Sequence, residues 1–357
     1  MKVELVTNPQ EIPISRNEWN TLLSHSETNT PFQTYEWLTS WWSIFGESNS
    51  LFLLFFYDGE RLAGIAPLMI AGTRKKTLRF ISDSNADYCD FIVRKKEKKM
   101  VIATLCDYVI KKQSHWGSLY LQNIPEQSET SSLLQEVLSA HGLYFSASSI
   151  PCPVLKLTEL QAEAQLEPSK TLRRRLNHFA RHGELSFTIF HSLEEAAIFL
   201  EDFFQQHIQR WSIMGKPSLF LDNRYRDFYH DLLRQAWPTG WLFFSCLTFN
   251  GHPIAFHFGF DYNSRVIWYK PSFDIAYRKH SPGRVFLKYL IDYCLESDKE
   301  ELDFSLGDEP FKRDYTNDVR LNTNYRIFKS KNEYLLTSTL TNLKKILKTL
   351  YRRFREI

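Results

Sequence analysis

The sequence predicts an α+β protein made of two tandem units of one kind, followed by a basic amphipathic helix. Three observations carry that prediction. Each half opens on a helical segment and then shows two apolar runs around an Asx-Gly dipeptide, Asp58-Gly59 and Asn250-Gly251, the strongest short hairpin signal. Each half continues with alternating helix and strand patterns. A proline-bracketed stretch, Ile150 to Pro168, separates the two. The expected domains are residues 1–160, 161–330 and, for the tail helix, 331–357.

Taken in order, YEWLTSWWSIF (35–45) follows Pro31 and reads as an aromatic helix stopped near Gly46. LFLLFFYDGERLAGIAPLMI (51–70) reads as two buried strands. Residues 78–93 give two short strands with a polar connection. Helices are expected over 101–111 and 131–140, with a strand at 118–121 between them. After the separator comes a basic helix, KTLRRRLNHFARH (170–182), ended by Gly183. A strand at 185–190, helices over 194–211 and 224–235, and the strands WLFFSCLTF and PIAFHFGF follow. RVIWYK is a further strand. A helix from Gly283 to Glu296 leads into the strand ELDFSL.

Composition narrows the function classes. The 357 residues are 43% hydrophobic and 24% charged, a globular mix that makes disorder and coiled coil poor readings of the whole chain. The longest apolar run, Leu51 to Tyr57, has seven residues, against roughly 20 needed to cross a bilayer. The N-terminus, MKVELVTNPQEI, has no basic stretch followed by an apolar core, so no secretory signal is expected. The expected location is the cytoplasm, or peripherally the inner membrane face. Cys89, Cys106, Cys152, Cys246 and Cys294 are scattered in apolar contexts without any CxxC, which fits buried thiols better than disulfides or zinc. A net charge of +3 is too small an excess to argue for nucleic acid by itself.

The most informative stretch is YRKHSPGRVFLKYLIDYCLE (277–296). Ser281 suits a helix N-cap, Pro282 the first helical position, and Gly283 lets a ligand approach the backbone. Arg278, Lys279, His280 and Arg284 surround this helix start, whose free N–H groups and partial positive charge favour a phosphate or pyrophosphate. The plain alternative is an ordinary capped helix with solvated charges. In the preceding strand Ala255, His257 and Gly259 share one face, and Ile254, Phe256, Phe258 and Phe260 the other. Small residues on one face leave room for a slender ligand. After the helix, Gly307 breaks the last strand, and Asp308, Glu309 and Lys312 crowd a tight turn. A strand end of mixed charge is a usual place for a reacting group; a solvated turn held by an Asp308–Lys312 ion pair is the simpler reading.

The order of these elements resembles the C-terminal half of the GNAT-superfamily acyltransferases of the CelD/BcsL, or BioF2-like, type, relatives of the FemABX aminoacyl transferases. SKTLRRRLNHFARHGELSF resembles that family's basic helix before its second domain. HIQRWSIMGKPSLFLDNRYRDFY resembles its H-x-x-R-W and Phe-containing loop, and GWLFFSCLTFNGHPIAFHFGF its long hairpin. FQTYEWLTSWWSIFG and LAGIAPLMI resemble its N-terminal half. The likeness covers about residues 30–328. It implies two tandem GNAT-like domains, with acyl-CoA (acetyl-CoA foremost) as co-substrate of the second and no metal. The pantetheine is expected along a splayed strand, mapped to Ala255, Phe256 and Phe258, and the pyrophosphate on Arg278, Lys279, His280, Ser281, Gly283 and Arg284. The first domain lacks such a helix start and is expected to bind no cofactor.

The implied reaction is direct acyl transfer. An attacking amine or hydroxyl must lose a proton, and the departing thiolate must be protonated or stabilised. Candidates are His257, Tyr269, Asp308, Glu309 and Lys312, and His257 suits a base at neutral pH; the structural alternative is a satisfied core histidine. The acceptor is expected to be a small molecule or a glycan of the cell-envelope or exopolysaccharide type. An aminoacyl-tRNA donor, held by the basic helix, is the competing enzyme reading, and a non-catalytic binding module is a third. His178 and His182 have a metal-like spacing, but neighbouring arginines repel a cation. No GxSxG, Walker A or helix-opening GxGxxG is present. The tail LTSTLTNLKKILKTLYRRFREI places Leu336, Leu340, Leu343, Leu347, Leu350, Phe354 and Ile357 in one stripe opposite six cations. Docking on protein is its default; contact of residues 335–357 with an anionic membrane face is the alternative.

Overall fold

The computed structural model describes residues 1–73, 76–112, 116–158, 169–328 and 330–339. In chain order the first elements are β1 (Lys2–Val6), α1 (Arg16–Ser24), α2 (Tyr35–Phe45), β2 (Asn49–Asp58), β3 (Arg61–Ala71), β4 (Thr77–Phe80), β5 (Ile92–Val93), α3 (Lys98–Lys111), β6 (Ser118–Pro125), α4 (Thr130–Ala140) and β7 (Tyr144–Lys156). Then come α5 (Lys170–His182), β8 (Leu185–Ile189), α6 (Leu193–Ile213), α7 (Asn223–Ala236), β9 (Leu242–Phe249), β10 (His252–Tyr262), β11 (Arg265–Phe273), α8 (Pro282–Glu296), β12 (Glu301–Asp303) and β13 (Asp318–Phe328). A last helix, α9, spans 331–339.

The chain divides into two compact units. One holds residues 1–33, 46–150 and the chain from Leu321; the other holds 34–45 and 151–320. In the first unit the strands run β1-β2-β3-β4-β6-β13, with β5 on β3. All pairs are antiparallel except β4–β6, which α3 connects in parallel. In the second unit the order is β7-β12-β11-β10-β9-β8, and β11–β12, connected through α8, is the parallel pair. Each unit is therefore an antiparallel ribbon, one helical crossover, one parallel strand, and a closing antiparallel strand.

The expected cut near 155–170 and the domain limits 1–160 and 161–330 differ from these units in three places. The units part at residue 150, and residues 159–168 lie outside the described residues. The helix α2 belongs to the second unit because its aromatic face packs there: Trp37 meets Phe228, Phe260 and Tyr269 edge-on at 5.2–5.8 Å, and Phe45 meets Tyr225 at 5.0 Å. Residues from Leu321 belong to the first, since Asn322–Ile327 pair with β6.

The proline-bracketed separator is in part a strand. Pro151 and Pro153 lie in β7, and their carbonyls accept from the N–H groups of Gly307 (2.9 Å) and Phe304 (3.0 Å). Proline lacks only the donor, so a strand used through its carbonyls tolerates it. Three elements carried no clear sequence signal: β1, α1 and β13. The strand β13 reads DVRLNTNYRIF, too polar to stand out as a buried run. In the segment 78–93 the second strand shrinks to Ile92–Val93, and the connection is a loop with buried Ser82, Asp83, Asn85 and Asp90.

In the second unit one sheet face packs α5 and α8 through Leu172, Phe179, Leu247, Trp268 and Phe286. The other carries an aromatic layer in which Phe203 meets Phe244 and Phe258 and Tyr229 meets Phe258, with Phe220 packed on Phe203 and Tyr229. All five cysteines are buried free thiols. In the tail, α9 is anchored by Tyr334, stacked on Tyr144 at 6.0 Å, while Leu336 is 68% exposed. Residues 340–357 of the expected tail helix lie outside the described residues. Among the described residues no helix is long and apolar enough to cross a membrane.

Candidate active site

The ladder between β11 and β12 lasts three residues, from Arg265↔Glu301 to Ile267↔Asp303. Beyond it β11 runs on to Phe273, still bonded to β10 on its other side. The opening thus lies between residues 268–273 and the chain after Asp303. This corrects the strand assigned from sequence. β10 is bonded to β9 on one side and β11 on the other, and Ala255, Phe256 and Phe258 are each at most 1% exposed. A strand paired along both edges and covered on both faces offers no groove, so the splayed strand is β11.

A bulge marks the start of the opening. Phe258 faces Lys270 and Phe260 faces Ile267, so Trp268 and Tyr269 together oppose Gly259. The Tyr269 amide donates to Nε2 of His257 at 3.3 Å, and the imidazole stacks on Trp268 at 4.6 Å. His257 is wholly buried, its Nδ1 has no hydrogen-bond partner, and burial pushes its pKa down to about 3. It is neutral at pH 7 and closed to solvent, so the structure places it in the core, fixing the bulge, and not at an open surface where a base was expected. Tyr269 is 6% exposed, and its hydroxyl accepts from Tyr229 at 3.2 Å inside the aromatic layer.

Past β11 a short turn, Ile275–His280, is capped by Asp274, whose carboxylate accepts from the Ala276 N–H at 2.8 Å. Ser281 then takes a left-handed conformation (φ 50°, ψ 59°) and Pro282 opens α8. The expected Ser281 side-chain cap is absent; its carbonyl instead accepts from the N–H groups of Arg284 (3.0 Å) and Val285 (3.3 Å). The Arg284 amide is therefore consumed, and its guanidinium lies 2.8 Å from Asp314. Arg278 and Lys279 are exposed. A Cβ on Gly283 would meet only the Phe273 ring, at 3.6 Å, so there is room on the side-chain face of that residue. A phosphoryl group fits this helix start through Arg278, Lys279 and the Gly283 backbone.

The basic helix α5 joins the same region. His280 stacks on His178 at 3.8 Å with rings 3° from parallel, and His178 on His182 at 4.3 Å. Desolvation and then the adjacent imidazoles lower the His178 pKa. The i,i+4 histidine pair is thus the core of a ring stack. Among the described residues no group of His, Cys, Asp and Glu has metal-binding geometry.

The turn after β12 is ordered differently from the expectation. Lys312 is 3% exposed, and its ammonium donates to the carbonyls of Leu306 (2.7 Å) and Gly307 (3.2 Å) and to Glu309 (2.8 Å). Asp308 pairs with Arg313, not Lys312, and that bond holds its carboxyl below the usual range. The Lys312 ammonium is saturated, and Asp308 is a weakened base. Glu309 folds back over Gly307, which would place a Cβ 2.9 Å from its Oε2. Two residues went unremarked in the sequence. Asp303 ends the ladder, 4% exposed and accepting from the Ser305 N–H at 2.7 Å; an acid inside LDFSL was the available signal. Arg210 of α6 donates to the Pro271 carbonyl at 2.7 Å and lies over the Phe273 ring.

Residues 168–313 match the family model described as an acetyltransferase (GNAT) domain. No curated protein matches the sequence. Among solved structures, FemX is 9% identical with a TM-score of 0.65, covering 94% of this chain and 99% of its own. L-PGS from Bacillus licheniformis is 13% identical with a TM-score of 0.56, over 92% and 95%. A tandem GNAT protein from the clavulanic acid biosynthesis pathway is 11% identical with a TM-score of 0.50, over 91% and 98%. The fold is the mixed α/β GNAT fold, and the tandem likeness fits two units of that kind.

Proposed function

We propose that the chain is an acyl-CoA-dependent N- or O-acyltransferase of the CelD/BcsL type, with acetyl-CoA as donor and a cell-envelope or exopolysaccharide glycan as acceptor. The observation that carries this reading is the opening of the β11–β12 ladder directly before a helix start that gathers Arg278, Lys279 and an uncovered Gly283. Arg278 and Lys279 hold the pyrophosphate, with Arg284 supplying longer-range charge while paired to Asp314. The attacking nitrogen or oxygen bonds to the thioester carbon as the carbon–sulfur bond breaks. Its proton passes to a base, and the sulfur takes up a proton or remains a stabilised thiolate. Of the carboxylates at this turn we assign the proton to Glu309, which is half exposed and whose Lys312 partner is shared with two backbone carbonyls. The bulge at Trp268–Tyr269, fixed by His257, holds the β11 backbone in register for the thioester.

A second reading, an aminoacyl-tRNA donor, is favoured by one feature. Arg173, Arg174, Arg175 and Arg181 all lie on α5, which the imidazole stack ties to the α8 start, more cation than one pyrophosphate needs. Residues 335–357, with their basic stripe, suit peripheral contact with an anionic membrane. Calorimetry and thermal shift with acetyl-CoA, longer acyl-CoAs, free CoA and charged tRNA separate the readings. Binding of CoA species alone, weakened tenfold or more in Arg278→Ala/Arg284→Ala at unchanged melting temperature, supports the first. Binding of charged tRNA alone supports the second. Binding of neither would leave a module without transfer activity.

A further inference from the structure

The first unit has a recess of its own, which the transfer reaction does not use. A cleft of about 880 Å³ opens where the parallel strands β4 and β6 begin, bordered by the end of β13 and by α9. That volume suits a ligand of sugar-phosphate size or larger. Its charged walls are Lys76, Arg79 and Arg326, against one acid among the described residues, Glu333. Arg79 is held in place, its Nε donating to Asp83 at 2.7 Å and its Nη2 to Gln122 at 3.0 Å. Arg326 lies over the Tyr120 ring, 4.8 Å from its centroid. Neither Lys76 nor Arg326 has a carboxylate partner among the described residues.

Between these cations runs a polar rung. Thr77 Oγ1 and Ser118 Oγ stand 3.1 Å apart on adjacent strands, and both face the cleft with Tyr120. Trp116 and Phe328 add buried aromatic surface to the same wall. Cations with no carboxylate partner among the described residues favour a phosphoryl group. Paired hydroxyls suit the alternating donors and acceptors of a sugar, and an aromatic wall suits its apolar face. A purely apolar ligand would strand the cations, and a bare anion would leave most of the volume unfilled.

We propose that this cleft binds a sugar phosphate, with the phosphoryl group on Arg326 and Lys76 and the sugar against Thr77, Ser118 and Tyr120. The same chemistry reaches a protein either as a soluble sugar phosphate or as a lipid headgroup. The proposal is independent of the acyltransferase reading, since it uses no residue of the second unit.

The test is titration calorimetry of the full chain with glucose 1-phosphate, glucose and inorganic phosphate. One site per chain for glucose 1-phosphate is expected, with glucose and phosphate each at least tenfold weaker. Lys76→Glu/Arg326→Glu should weaken glucose 1-phosphate at least tenfold while leaving acetyl-CoA binding unchanged. If that double variant does not fold, Lys76→Ala and Arg326→Ala singly should each weaken it measurably. Co-sedimentation with phosphatidylinositol vesicles, competed by glucose 1-phosphate, would assign the lipid source; no sedimentation would assign the soluble one. No binding of glucose 1-phosphate, equal affinity for inorganic phosphate, or indifference to the charge reversals would overturn the proposal.

Discussion

A Cβ on Gly259 would stand 2.2 Å from Cε1 of His257, and 2.4 Å from the Ile267 carbonyl oxygen. The glycine is therefore the counterpart that lets a buried imidazole reach the Tyr269 amide. Gly259→Ala must displace either the ring or the backbone, and should cost on the order of 1–3 kcal/mol and weaken acetyl-CoA binding. Gly283→Ala meets only ordinary contact with Phe273. It should change stability by about 0.5 kcal/mol or less yet still weaken the donor. Urea denaturation paired with calorimetry reads both, and equal stability of the two variants would contradict the steric argument.

Two buried histidines predict a pH dependence. Burial pushes His257 and His207 down to about 3, while the unfolded chain protonates near 6.5. Their stabilisation is full above pH 6.5 and is lost as pH falls toward 3, since the unfolded state then binds more protons. By pH 5 the loss is roughly 2 kcal/mol for each. In His257→Phe the drop in unfolding free energy between pH 7.5 and 5 should shrink by about that amount. An unchanged drop would mean that His257 is protonated in the folded protein.

In the first unit Lys98 is 1% exposed, with its ammonium 2.7 Å from Glu27 and Ser128 and 3.5 Å from Asp90. Asp90 also accepts from the hydroxyls of Thr28 and Thr130. Lys98→Met leaves a buried carboxylate without its cation and should cost about 3–5 kcal/mol. Adding Asp90→Asn should recover part of it, because the stranded charge is removed. A double variant no more stable than the single would refute that account.

Lys312 closes its turn through three acceptors, one of them Glu309, so Lys312→Met should lower stability by about 1–3 kcal/mol and reduce the rate per folded molecule without abolishing it, because Glu309 loses its ion-pair partner. Rates normalised to the folded fraction decide this. Loss of turnover at wild-type stability would restore Lys312 to the chemistry.

Much of the second unit's architecture was legible because its signals are local. Asn250-Gly251 between apolar runs specifies a hairpin, and RVIWYK followed by SPGR specifies a strand entering a Pro-started helix, whatever lies around them. The candidate site was legible in composition but not in geometry. Arg278, Lys279 and Gly283 stand at the helix start as expected. Ala255, Phe256 and Phe258 do not line an opening, because neighbour identity in a sheet is a long-range property that periodicity cannot carry.

Local signals sufficed for the α+β class, the repeated plan and the cationic helix start, because hairpin dipeptides, proline positions and apolar period act within a few residues. Which strand is freed depends on long-range pairing. β12 ends at Asp303, so its ladders with β11 and β7 both stop after three residues while β11 runs on to Phe273. Tertiary structure also decided the fate of His257: an imidazole that could titrate at neutral pH in water is held neutral by burial between Trp268 and Phe286. Lys312 likewise turned inward because two carbonyls and Glu309 satisfy its three donors. Desolvation and pairing are set by what the rest of the chain brings alongside, and no window of sequence contains them.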